Sequence, residues 1–280
     1  EWTADINYNR MKNDGGGNFE TTYEGNSIPS NERQENDGSS EFITLQTDWV
    51  EPISDKIKLE VGARAALRQQ ENNNYTYREE KLIPSPFDRY SYEDNVYAAY
   101  GTFSHSFPKW GYQVGLRAES SKYTGMLPEM GDTTFSNDYP LSLFPSIFLT
   151  RKLNEEDNVQ LSYSRRINRP NFFQLMPFTD FSDSLNIQQG NPHLLPEFTN
   201  SLEISYQNIF KQGHNLVVSI YYKQATDLIT RYSEQTDVPG VNLWTYRNAN
   251  SSKAYGMEFT LRNTFWKIVE LTSNINMYNS

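Results

Sequence analysis

Apolar and polar residues alternate with a period of two along most of this chain. Trp2, Ala4, Ile6 and Tyr8 interleave with Thr3, Asp5 and Asn7. Ile43, Leu45 and Trp49 share one face of Phe42 to Val50. Ile57, Leu59, Val61, Ala63 and Ala65 alternate with Lys58, Glu60, Gly62, Arg64 and Ala66. The same beat returns in Tyr112 to Glu119, Leu141 to Thr150, Leu161 to Ser164, Ser201 to Tyr206, Leu216 to Tyr222, Tyr255 to Arg262 and Val269 to Asn279. Such alternation predicts strands with one apolar and one polar face. The run Val96 to Phe107 leaves its facing open, because Tyr97, Ala99, Gly101 and Phe103 compete with Val96, Ala98 and Tyr100. Pro145 cannot donate to a ladder, so the strand that carries it should hold a bulge or an unpaired position there.

The connections sort by length. Polar, glycine-rich stretches at Asn9 to Ser40, Gln70 to Ser91, Leu127 to Tyr139 and Gln224 to Ser252 read as long loops. They alternate with short turns at 51–55, 108–111, 152–157, 211–214 and 265–267. Strands of about nine to twelve residues fit a tilted crossing of ~30 Å of hydrocarbon. The count is about eleven, and closed bacterial barrels are even-numbered, so the pattern predicts roughly half of a 22-stranded barrel. The expected fold is all-β: an antiparallel up-and-down transmembrane β-barrel, partial, without a plug domain, and a single domain over 1–280. The apolar faces would touch outer-membrane lipid. The opposite faces would line the lumen with Glu60, Arg64, Arg117, Glu119, Arg166, Glu203, Glu258 and Arg262. An arginine on the lipid face near the midplane would cost about 2–4 kcal/mol, and these charges share the polar parity instead. Trp49, Trp110 and Trp266 fall near the short turns, where an interfacial aromatic belt is expected.

The stretch Leu161 to Tyr206 organises the rest. Two alternating strands flank a loop punctuated by Arg169-Pro170, Met176-Pro177, Gly190-Asn191-Pro192 and Leu195-Pro196-Glu197. Prolines at that density exclude a helix or a central strand. The run Ser162 to Pro170, then Gln174-Leu175-Met176-Pro177-Phe178, then Gly190-Asn191-Pro192 and Leu195-Pro196-Glu197, resembles the barrel of TonB-dependent outer-membrane receptors, most closely those of the Bacteroidetes type. The resemblance implies import of a nutrient of the siderophore, vitamin or oligosaccharide class across the outer membrane of a Gram-negative bacterium. It implies three partners besides lipid: a plug domain of the same parent chain, the TonB complex acting through that plug, and the nutrient ligand. No cofactor is implied. The sequence departs from the family in lacking a plug, a TonB-contacting segment and a terminal aromatic on the last strand, so the chain reads as a piece of a larger protein.

Composition narrows the alternatives. Hydrophobic residues make up 36% of 280, and mean hydropathy is −0.75. No window approaches the ~18 apolar residues of a membrane helix, which excludes helical spanning alone. A net charge of −10 argues against nucleic acid as a partner. Cysteine is absent, so thiolate metal sites and disulfides are impossible. Catalytic patterns do not emerge: His105, His193 and His214 lie far apart, Asp180 and Asp183 lack an EF-hand frame, and Glu79-Glu80 and Glu155-Glu156 sit in charged loop runs. Phe172, Phe173, Phe178, Phe181, Trp244 and Tyr246 are the candidate ligand contacts, since exposed loop rings stack on sugars or aromatic chelators. They could equally pack the loops together. Two other readings compete: a soluble secreted β-sandwich that binds glycans, and an outer-membrane porin or adhesin without TonB coupling.

Overall fold

The alternation becomes one continuous sheet. The structure is a computed structural model that describes residues 1–21, 30–84, 88–130, 133–175, 179–180, 185–210, 214–266 and 268–280. Among the described residues there are fourteen strands: β1 (Trp2–Thr21), β2 (Ser30–Ser54), β3 (Ile57–Arg78), β4 (Lys81–Ile83), β5 (Arg89–Ser106), β6 (Trp110–Leu127), β7 (Thr133–Lys152), β8 (Asp157–Asn168), β9 (Thr179–Asp180), β10 (Asn186–Gln189), β11 (Glu197–Ile209), β12 (Asn215–Gln235), β13 (Asn242–Phe265) and β14 (Val269–Asn279). Three of them, β4, β9 and β10, are short and belong to connections. The other eleven form an antiparallel meander in the order β1-β2-β3-β5-β6-β7-β8-β11-β12-β13-β14. Among the described residues the sheet is not closed: β1 pairs only with β2, and β14 only with β13. A two-layer sandwich would cover one face with a second sheet, whereas here every described strand joins the same one.

Register aligns the faces across all eleven strands. Ile6, Leu45, Ala65, Tyr97 and Ser120 stand in one cross-strand row, and Leu161, Ile204, Ile220, Met257 and Met277 in another. The apolar face stays uncovered: Ile204 is 52% and Ile220 54% exposed. Such a face is stable only against hydrocarbon or another apolar surface. The open facing of β5 is settled by the same rows, with Tyr97, Ala99, Gly101 and Phe103 on the apolar side. Above Tyr8, Leu67, Tyr97 and Ser120 the outward positions turn polar, to Arg10, Gln69, Asn95 and Lys122, which marks one edge of the apolar band.

Three expectations need correction. The strands are longer than the nine to twelve residues that alternate: β1 has 20, β2 25 and β3 22. The predicted loop Asn9 to Ser40 is mostly ladder, with Lys12 opposite Ser39 and Gly15 to Gly17 opposite Asn36 to Gln34. Likewise β12 and β13 pair through Gln235 and Asn242, deep inside the predicted loop Gln224 to Ser252. Main-chain pairing needs no apolar face, and polar cross-strand contacts sustain it: Arg10 and Glu41 pair at 3.1 Å, and Asn13 donates to Asn36 at 2.9 Å. Finally, the bulge in β7 lies at Pro140-Leu141, two residues opposite Ser120, while Pro145 stays in register with Leu116. Pro145 instead marks where pairing between β7 and β8 stops, because that ladder begins at Ser146.

The short turns are tied by local hydrogen bonds. Asn154 Oδ1 accepts from the N–H of Glu156 and of Asp157, both at 2.8 Å, and closes the β7–β8 turn. At the other end of the sheet Glu79 and Glu80 form the two-residue turn between β3 and β4, with φ of 48° and 60°. Those two carboxylates are therefore hairpin residues.

Candidate functional site

Two constructions occupy the polar face, and both use the loop between β8 and β11. The first is a docked loop. Above Ser146 the sheet splits, and residues 169–175 cross onto the polar side of β5, β6 and β7. Asn171 caps a single helical turn, α1 (Phe172–Leu175), accepting from the N–H of Gln174 at 3.1 Å. Phe172 and Leu175 point into a cluster with Tyr92, Tyr123, Leu127, Phe135 and Leu194. Phe172 stacks on Tyr90 with centroids 4.8 Å apart and meets Tyr92 edge-on at 5.2 Å. Gly125 admits this packing, because a Cβ there would run into the Phe135 ring. Tyr139 donates its hydroxyl to the Leu194 carbonyl at 2.9 Å.

The second half of the loop is fastened to β12 and β13. Asn186 to Gln188 add as a parallel strand beside Asn242 to Trp244. Asn248 receives the N–H of Leu195 at 2.8 Å and donates to the carbonyls of Leu195 at 2.9 Å and Asp227 at 2.6 Å. Asn191 donates to the Tyr246 carbonyl at 3.1 Å. The Gly190-Asn191-Pro192 motif lines a cavity of about 390 Å³ with His193, Tyr232 and Tyr246.

The ring candidates separate accordingly. Phe172, 6% exposed, is core, and Tyr246 packs against the same cluster. Phe173 is 62% exposed and meets the cluster only at its edge, against the Phe172 ring with centroids 5.4 Å apart. Trp244 lies under the Arg231 guanidinium at 4.6 Å. Phe178 and Phe181 lie outside the described residues, as does Asp183.

The charged candidates all take the polar side of the register. Glu60 pairs with Lys58 at 2.8 Å, and Arg262 with Glu270 at 2.5 Å. Arg166, Glu203 and Glu258 make no ion pair among the described residues, so the eight do not form one connected network. Arg117 and Glu119 do join a cluster. Glu119, 7% exposed, is held by both Arg117 and Arg169, and Arg169 also donates to Ser121 at 3.2 Å. Arg64, Arg68 and Asp94 complete the walls of a 230 Å³ cavity there. The sequence reading missed Arg68, Asp94 and Arg169. Arg68 and Asp94 sit beyond the predicted strand ends, directly opposite one another, and only the register reveals them. A larger hollow of 690 Å³, floored by Ala4, Thr47, Ala63, Ala99 and Ala118, opens on the apolar side and belongs to the hydrocarbon surface.

The model of the outer membrane protein beta-barrel family matches residues 1–280. The chain belongs to that family. Its place is the outer membrane of a Gram-negative bacterium, and the uncovered apolar face of this beta-barrel family member is its lipid surface. No curated protein matches it. Among solved structures it is similar to the copper transporter OprC, at 14% identity and a TM-score of 0.68, covering 99% of this chain and 44% of that one. It is similar to the ferripyoverdine receptor of the outer membrane of Pseudomonas aeruginosa, at 14% identity and 0.66, covering 99% and 38%. It is also similar to the unliganded ferric citrate transporter FecA, at 10% identity and 0.64, covering 99% and 40%. At these identities the likeness is one of fold. The chain spans less than half the length of each of these three structures.

Proposed function

We propose that this chain is the partial barrel of a TonB-dependent outer-membrane transporter that imports a nutrient of the siderophore, vitamin or oligosaccharide class. The observation that carries the reading is the wall itself: eleven long antiparallel strands with one uncovered apolar face, whose polar face receives Phe172, Leu175 and Leu194 of the β8–β11 connection. The similar structures are receptors and transporters, and this chain covers a fraction of each. On this reading the parent carries a plug domain, the polar-face charges contact it, and TonB acts through it. The strand extensions and long hairpins face outside, the short turns face the periplasm, and Phe173, Trp244 and the 390 Å³ loop cavity contribute to capture of the ligand.

The test is uptake by the full-length parent in cells. Growth on candidate nutrients as sole source should require the parent gene and should stop when TonB is deleted or the proton gradient is collapsed. Uptake that persists without TonB and scales linearly with external concentration would establish a porin in its place.

A further inference from the structure

The cavity beside Glu119 holds more positive charge than it needs for its own pairing. Four guanidinium groups, Arg64, Arg68, Arg117 and Arg169, face two carboxylates, Asp94 and Glu119. Glu119 is occupied by Arg117 and Arg169. The neighbouring acids are also taken: Asp48 accepts from Tyr100 at 2.6 Å and from Gln46 at 2.8 Å, and Glu60 pairs with Lys58. Arg64 and Arg68 are exposed on the polar face and make no ion pair among the described residues, four residues apart on β3. Arg68 is steadied from one side by the Phe42 ring, 5.4 Å from its guanidinium carbon. Asp94, directly across from Arg68, has one carboxylate oxygen buried with no hydrogen-bond partner.

We propose that Arg64 and Arg68, flanked by Arg117 and Arg169, seat an oxyanion, a carboxylate or phosphate, inside the barrel. A planar guanidinium fork matches those groups bidentately. Asp94 also lines this cavity, and a carboxylate there can accept a hydroxyl beside the anionic group, which favours a hydroxy acid or sugar phosphate over a simple aliphatic acid. At 230 Å³ the cavity holds a headgroup and falls short of the ~300–1,000 Å³ of a whole drug-sized ligand. The anion is borne either by the solute in transit or by an acidic side chain of the plug. The proposal rests on the transporter reading and narrows its substrate class.

The experiment uses the full-length parent in detergent at low salt. Gluconate, inorganic phosphate, hexanoate and uncharged glucose are titrated calorimetrically against wild type, R64Q/R68Q and R64K/R68K. If the solute supplies the anion, gluconate or phosphate binds, and glucose does not. Binding then weakens at least about tenfold in R64Q/R68Q, weakens with salt, and is partly kept by R64K/R68K. Hexanoate binds more weakly than gluconate. If the plug supplies the anion, wild type binds none of the probes because the seat is filled. In R64Q/R68Q the urea midpoint for proteolytic release of the plug then falls, while the barrel keeps its folded mobility on unheated gels. Probe binding that survives R64Q/R68Q unchanged, or no binding together with an unchanged plug midpoint, overturns the proposal. Failure of the transporter reading itself would appear separately, as uptake indifferent to TonB.

Discussion

The membrane band and the rim above it are made of the same strands, yet they are held by different forces. In the band, each strand offers an apolar residue to one side and a polar residue to the other, and the lipid side is left bare. Leu116, Leu161, Ile204 and Ile275 are all well exposed there. In the rim, the ladders continue with the outward face polar, and the apolar packing moves to the inner side of β5, β6 and β7. Tyr92, Tyr123, Leu127 and Phe135 gather there under Phe172, Leu175 and Leu194. The band is stable because lipid completes it. The rim is stable because a loop does.

That difference can be broken from either side. The largest effect is expected at Phe172→Ala. It empties a ring site that is 6% exposed, and such truncations cost ~3–5 kcal/mol where the ring is core. The loss should undock the loop and leave the band intact, so protease should cut residues 169–196 in a barrel whose strand amides still resist exchange. Phe173→Ala, at a ring that is 62% exposed, should leave that protection unchanged. Equal sensitivity of the two would mean that the loop does not dock through Phe172. Next comes Ile204→Arg in the band, expected to cost about 2–4 kcal/mol of folding into lipid vesicles, measured by urea titration. Ser205→Arg, one residue on and facing the lumen, should cost little by the same measurement. Similar penalties at both positions would contradict the assignment of the faces.

Sequence legibility follows the same division. Period-two alternation reports that the two faces meet different media, and it is strong at Leu202, Ile204 and Tyr206 for that reason. It goes silent where both faces meet water, which is why Lys12 to Thr21 and Gln224 to Gln235 read as loop and fold as strand. Eleven long strands could be counted because each crosses the band once. The inner site was half legible. Arg117 and Glu119 stand out at polar positions of a clear strand, but Arg68 and Asp94 occupy stretches without alternation, and Arg169 arrives from a loop. Among the rings, composition flagged Phe172 and Phe173 alike, and only packing tells the core ring from the exposed one at its edge.

Two smaller substitutions sharpen the account of the rim. Asn248→Ala removes one acceptor and two donor contacts that tie Leu195 and Asp227 together, and groups left unpaired cost ~1–3 kcal/mol. Its expected mark is faster exchange of the Leu195 amide, with the packing of Phe172 and Leu194 in the cluster kept.

The smallest effect is expected at Tyr139→Phe. This change keeps the ring, which meets Tyr123 edge-on at 5.8 Å, and deletes only the hydroxyl that donates to the Leu194 carbonyl. A single neutral hydrogen bond contributes ~0.5–1.5 kcal/mol. Because Leu194 belongs to the apolar cluster and its carbonyl does not, the two contributions are separable. Tyr139→Phe should raise local opening of the loop by about tenfold or less in hydrogen exchange, and Leu194→Ala should raise it far more. If the two substitutions were equally costly, the loop would be held mainly by its polar ties, and the contrast between a lipid-completed band and an apolar, loop-completed rim would fail.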